Sequence, residues 1–184
     1  MQRELFEVLA RCIEYPGADW KQRLDLGHQN LQRHLPDAAR HLARFRAAVG
    51  DLSATRAQEL FTRTFDHNPA HALEIGWHLF GEDYHRGALL VRLRRELRKH
   101  HISESLELPD HLSHVLLLLG TMTPSEATEF ATACVLPALR TLLDGLHRDA
   151  SAYTDLIRSI HTVLEHFIAI RFEEVVDGRP VQAS

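Results

Sequence analysis

At 184 residues, 45% apolar and 25% charged, the chain has the size and composition of one soluble globular domain that needs neither metal nor disulfide to fold. A formal net charge of −4 leaves no broad basic surface and argues against nucleic acid as a partner. The N-terminus carries acids where a signal peptide would be apolar, and the longest apolar run, Val115 to Leu119, is far too short for a bilayer; the expected location is the cytoplasm, without stable membrane association.

Residues 4–15 place Leu5, Val8, Leu9, Cys12 and Ile13 on one helical face and stop at Pro16-Gly17. Residues 19–35 form a second helix anchored by Trp20, Leu24, Leu31 and Leu35. Pro36 suits the first position of a third, where a proline loses no hydrogen bond, and that helix runs to Val49 and ends at Gly50. Ser53 caps a helix over 54–65 with Leu60, Phe61 and Phe65 inward. Asn68-Pro69 breaks the pattern, residues 72–80 read as helix, and Gly81 ends it. Asp83 caps a long basic helix to about His101, with Leu89, Leu90, Leu93 and Leu97 inward. A loop with Ser103 and Ser105 follows, and Pro109 opens a helix over 110–119.

Thr123-Pro124-Ser125-Glu126 is the clearest local signal: a capping threonine, a proline at the first helical position, and a glutamate placed to reach back. This helix is expected to reach Leu143, kinked at Pro137, with Asp144-Gly145 as its end. Cys134 within it, like Cys12, reads as a buried reduced thiol. Residues 151–170 form the last helix on the stripe Tyr153, Leu156, Ile160, Leu164, Phe167 and Ile168. Residues 173–184 are expected to be a loose tail, with Asp177-Gly178 a weak hairpin signal. The fold expected over residues 1–172 is all-α, a compact single-domain bundle of seven to nine helices.

Fourteen histidines raise the question of a metal, and the spacings answer against it. Pro69 separates His67 from His71 and spoils a shared helical face. His111 and His114 are three apart, but Glu82-x-x-His85 is only half of a di-iron pattern and has no second copy. His-Glu-x-x-His is absent, and two cysteines cannot form a zinc cluster. No phosphate loop or nucleophile elbow is present, and Arg92, Arg94, Arg95 and Arg98 read as a solvated face. No enzyme, metal or cofactor is expected.

Residues 64–112 hold many of the ionisable groups and two breaks in helical pattern. Glu82 and Asp83 sit at one helix junction, Glu107 and Asp110 at another. Capping by the helix dipole accounts for such acids. If the junctions converge, they also form an acidic rim beside Trp77 and Phe80, a groove suited to a basic amphipathic peptide helix. His111 beside Asp110 would make such binding pH-dependent.

Thr64-Phe65-Asp66, His78-Leu79-Phe80-Gly81-Glu82, Arg86-Gly87, Glu107-Leu108-Pro109-Asp110-His111-Leu112, and the opening Leu9-x-x-Cys12-Ile13-Glu14-Tyr15-Pro16 together resemble the delta-subunit chaperones of respiratory nitrate reductase. These are the NarJ branch of the TorD/DmsD-like redox-enzyme maturation proteins, and the resemblance covers about residues 5–145. It implies a TorD-like helical, cytoplasmic chaperone, monomer or homodimer. Such a chaperone binds the N-terminal peptide of a molybdenum-containing oxidoreductase catalytic subunit and holds it until molybdenum cofactor and iron–sulfur clusters are inserted. The family's peptide-binding region maps onto Glu107, Pro109, Asp110 and His111, and its Gly-Glu-x-x-x-Arg-Gly element onto Gly81, Glu82, Arg86 and Gly87. The chain departs from the family pattern at Leu90, Leu97, His101 and Ser113. A helical adaptor without a molybdoenzyme client, and a metal-dependent helical enzyme, are the alternative readings.

Overall fold

The computed structural model describes the backbone of residues 2–176 and the side chains of residues 2–170. Its helices are α1 Gln2–Ile13, α2 Trp20–His34, α3 Pro36–Val49, α4 Ala54–Phe65, α5 Ile75–Phe80, α6 Tyr84–Lys99, α7 Leu112–Thr121, α8 Pro124–Phe130, α9 Leu136–Arg148 and α10 Tyr153–Val176. A π-turn, Ala131–Val135, joins α8 to α9 without a break, so these segments make nine helices among the described residues. A 3₁₀ turn, Pro69–His71, lies between α4 and α5. No strand occurs among the described residues, only one isolated antiparallel bridge.

The local signals act where they were expected. Ser53 Oγ accepts the Arg56 amide at 3.3 Å and starts α4. Asp83 Oδ1 accepts the His85 amide at 2.8 Å and starts α6. At α8 the capping box closes in both directions: the Thr123 amide donates to Glu126 Oε2 at 3.0 Å, and the Glu126 amide donates to Thr123 Oγ1 at 3.4 Å. The Thr123 hydroxyl, donating to Glu126 Oε2 at 2.6 Å, and the Thr123 amide hold the Glu126 carboxyl below its ordinary range.

One apolar core runs through the molecule, from Phe6 and Leu9 on α1 through Leu42, Leu116 and Leu139 to Ile160 and Leu164 on α10. α1 packs between α2 and α7, and α10 lies along α3 and α9. Phe6, absent from the expected α1 stripe, is wholly buried, with its ring edge-on to Phe167 at 5.5 Å. α6 stands apart from this core, held by Leu93 and Leu97 against Leu118.

Four expectations about boundaries are corrected, two of them because a tertiary contact overrides a local pattern. Residues 72–74 are extended, and helix begins only at Ile75, because Leu73 and Ile75 find backbone partners on residues 110 and 112. α7 begins at Leu112, since the His111 ring, through Nδ1, accepts the Ser113 amide at 3.2 Å and caps it. Helix continues through Asp144-Gly145 to Arg148, because Gly145 is a packing glycine: a Cβ there would lie 2.7 Å from the Ala70 carbonyl oxygen. α10 stays helical to Val176, past residue 172; residues 177–184, with Asp177-Gly178, lie outside the described residues. The irregularity expected at Pro137 takes the form of the π-turn just before it. Pro137 offers no amide to the carbonyl four residues back, and the Leu136 amide bonds to Ala131 O instead.

No helix among the described residues is long and apolar enough to cross a membrane. Thr123→Ala removes the acceptor for the Glu126 amide and should lower unfolding free energy by about 1 kcal/mol. Urea denaturation checks it: the midpoint falls while the slope stays constant.

Candidate functional site

Two stretches separated by α5 and α6 cross here as backbone. The Ile75 amide donates to Asp110 O at 2.9 Å, and the Leu112 amide donates to Leu73 O at 2.8 Å, on either side of the Glu74–His111 bridge. The crossing sets the start of α5 against the start of α7. Between them opens a cleft of about 330 Å³, with Phe61, Phe65 and Trp77 as its apolar wall and Asp66, Glu74 and Glu107 as its carboxylates.

A buried pair lies behind the cleft. Asp110 is fully buried, and its Oδ2 takes Arg86 Nε at 3.3 Å. The Arg86 guanidinium, which also lines the cleft, sits 5.5 Å from the centroid of the Trp77 ring. Gly76 makes room for this pair, since a Cβ there would fall 2.6 Å from Asp110 Oδ2. Burial raises the Asp110 carboxyl, with Arg86 opposing, and Oδ1 is buried with no partner. Burial also raises Glu74, and the charges of Asp110 and Glu107 add to that rise. The cleft therefore holds more carboxylate than its single arginine offsets.

Histidines close the loops around the site. His114 Nδ1 donates to Leu108 O at 2.9 Å, while its Nε2 accepts the Ser105 amide at 3.2 Å, pinning residues 105–108 over α7. His78 Nε2 donates to Ala72 O at 2.7 Å and ties α5 back to the extended segment. Arg23, itself buried, fixes the other flank by donating to Arg11 O at 3.0 Å, Glu14 at 2.9 Å and Tyr15 O at 3.0 Å. Among the described residues, no group of three or more His, Cys, Asp or Glu side chains is arranged to hold a metal.

The chain matches the nitrate reductase delta subunit family over residues 28–166, a span that includes every lining residue of the cleft. It belongs to that family. It is also similar to the nitrate reductase molybdenum cofactor assembly chaperone NarJ of Escherichia coli strains K12 and O157:H7, at 29% identity over 153 residues in each case. The match takes in 81% of this chain, which spans 64% of the length of those relatives.

Of the residues singled out in the sequence, the structure brings Trp77, Arg86, Glu107 and His111 together in the wall of this delta-subunit cleft. Pro109 and Asp110 lie buried beneath it, so Asp110 is no part of an exposed rim. Glu82, Asp83 and Phe80 are outside it. Gly81, at φ 58°, turns the chain, Asp83 caps α6 and pairs with the His85 ring, and Phe80 stacks on that ring at 6.0 Å. The acidic groups of the cleft are Asp66, Glu74 and Glu107 instead. Glu74 was hidden inside a presumed helix; its one sequence signal is that it stands alone among apolar residues. The pH expectation for His111 is also corrected. Burial, helped by His114, pushes its pKa down to about 4, so the ring is neutral near pH 7 and its Nδ1 is free to accept from Ser113.

Two variants separate the cleft from its support. Asp110→Ala leaves Arg86 without its buried partner and should destabilise the fold by about 3 kcal/mol, the low end for a broken pair because Arg86 keeps some solvent. Glu74→Gln should do the reverse. The folded protein favours the protonated form of Glu74, so its charge opposes folding at neutral pH and ceases to do so as pH falls through the raised value. The variant should therefore melt higher than wild type at pH 7, and the gap should close well below the ordinary glutamate value of 4.5. Thermal melts across pH check both.

Proposed function

We propose that this protein is an assembly chaperone for a molybdenum-dependent oxidoreductase of the nitrate reductase type. It binds the N-terminal peptide of the catalytic subunit in the acidic cleft, in the cytoplasm, and holds that subunit until molybdenum cofactor and iron–sulfur clusters are in place. Membership of the delta-subunit family and similarity to proteins described as molybdenum cofactor assembly chaperones support the class. One observation carries the site: Asp66, Glu74 and Glu107 face a common cleft whose apolar wall is Phe61, Phe65 and Trp77.

The chemistry follows from that arrangement. A cleft of about 330 Å³ accepts large side chains rather than a whole helix. The peptide lies across it as an amphipathic helix, one apolar anchor against Trp77 and basic groups toward the carboxylates. Folding of the peptide on binding consumes about 2–5 kcal/mol of the gross interaction, which keeps affinity moderate and release accessible. The carboxylates speed encounter and select a basic partner, and the apolar wall holds it. The reading assigns no bond-making step: Asp110 is engaged by Arg86, and the His111 ring caps α7.

Calorimetric titration with a synthetic peptide from the N-terminus of the catalytic subunit tests this. Saturable binding is expected at micromolar Kd or better. Glu107→Ala should weaken it about two- to fivefold, the scale of an exposed charge contact. Trp77→Ala should weaken it roughly thirtyfold or more, the scale of a buried aromatic anchor. Added salt should weaken it, and Asp83→Ala, remote from the cleft, should leave it unchanged. Affinity indifferent to both Trp77→Ala and Glu107→Ala would show that the peptide binds elsewhere.

A further inference from the structure

The cleft does not end at Glu107. On the far side of Glu107 and His111 a second hollow of about 380 Å³ opens, lined in part by Tyr15, Ser105, Leu106, Ser113 and Leu117. Glu107 and His111 belong to the walls of both hollows. The walls are joined again at Tyr15, whose ring stands edge-on to Phe61 of the first cleft at 5.4 Å. The two hollows thus adjoin, with Glu107 and His111 as the waist between them.

The second hollow differs in character from the first. Its one carboxylate besides Glu107 is Glu14, already paired with the buried Arg23 at 2.9 Å. Its rim carries Leu106, wholly exposed, and Tyr15, half-exposed. An apolar side chain held in water at the mouth of a hollow loses the free energy that burial would return. Neither residue is loosely placed. The Tyr15 carbonyl is held by Arg23, and Leu106 sits between Ser105 and Leu108, the two residues tied to His114. Ser105 Oγ also accepts the Glu107 amide at 3.1 Å, which fixes the waist.

We propose that this second hollow is a subsite for the same client peptide, taking an apolar side chain next to the basic residues held at Glu107. The inference rests on the peptide-binding reading above. The partner so recognised is a peptide with two apolar anchors flanking a basic centre: one anchor against Trp77, the other covered by Tyr15 and Leu106. The shared wall at Glu107 and His111 and the charge pattern, with three carboxylates in the first hollow and in the second only Glu107 and the Arg23-paired Glu14, support that occupant.

The test titrates the N-terminal peptide of the catalytic subunit, and versions shortened from each end in turn, into wild type, Leu106→Asp and Trp77→Ala. Leu106 is fully exposed, so its replacement leaves the fold intact. The expected result is that Leu106→Asp weakens the full peptide about ten- to a hundredfold, as loss of one buried leucine contact does. One shortened peptide should bind wild type and Leu106→Asp equally while remaining sensitive to Trp77→Ala. If Leu106→Asp leaves the full peptide unaffected while Trp77→Ala weakens it, the second subsite is refuted and the first cleft stands. If neither variant matters, or no peptide binds, both the subsite and the peptide-binding reading fall.

Discussion

The crossing of residues 73–75 over residues 110–112 is the constraint on which the site depends. Two backbone hydrogen bonds make it, from the Ile75 amide to Asp110 O and from the Leu112 amide to Leu73 O. Both chain stretches leave helical geometry to form them, and each gives the other the partners its own helix would have supplied. Once the crossing exists, the Asp110 carboxylate lies under Gly76, Arg86 reaches it from α6, and Trp77 finds the guanidinium beside its ring. The cleft follows as the space left between α4, the start of α5 and the loop before α7.

Holding this arrangement works against stability. Glu74 and Asp110 both have carboxyls raised by burial, Asp110 keeps one oxygen without a partner, and the cleft carries two further carboxylates, Asp66 and Glu107, against one shared arginine. A site shaped only by folding would replace such groups with apolar ones, since a buried ion pair stabilises less than well-packed side chains of similar size. Under the proposed function, the charge retained in the cleft serves a ligand of opposite charge, whose binding would relieve the destabilisation. Structural histidines serve the opposite end. His78 and His114 close loops by hydrogen bonds between their rings and backbone groups, making a firm frame around the buried charges.

Much of the fold was legible in the sequence, for a local reason. Ser53, Asp83 and the Thr123–Glu126 box act within one helical turn, so each start could be read from neighbouring residues. The apolar stripe of α10 likewise needs only helical periodicity. The errors fall where contact comes from far along the chain. Residues 72–74 carry a helical pattern that the crossing overrides, and Gly145 reads as a stop until Ala70 is packed on it. The site shows the same division. Glu107, Arg86 and His111 are legible through motifs and Trp77 as apolar surface near the acidic junctions, whereas Glu74 and the exclusion of Glu82 and Asp83 depend on the turn at Gly81 and on the crossing itself.

His111 shows how the site can be rigid and selective at once. Its ring caps α7, and its Nδ1 accepts from both the Ser113 amide and, at 2.7 Å, the Ser113 hydroxyl. That role needs an unprotonated Nδ1, and burial supplies it by pushing the pKa down to about 4. A residue at the waist of an acidic groove would ordinarily gain a proton and cancel part of the field that attracts a basic peptide. Here burial, helped by His114, prevents it. The ring stays neutral, α7 stays started at the same residue, and the carboxylates of the cleft are Asp66, Glu74 and Glu107. Under the proposed function, response to pH near neutrality would belong to the peptide rather than to His111, and selectivity would rest on where its cations fall relative to the apolar anchors.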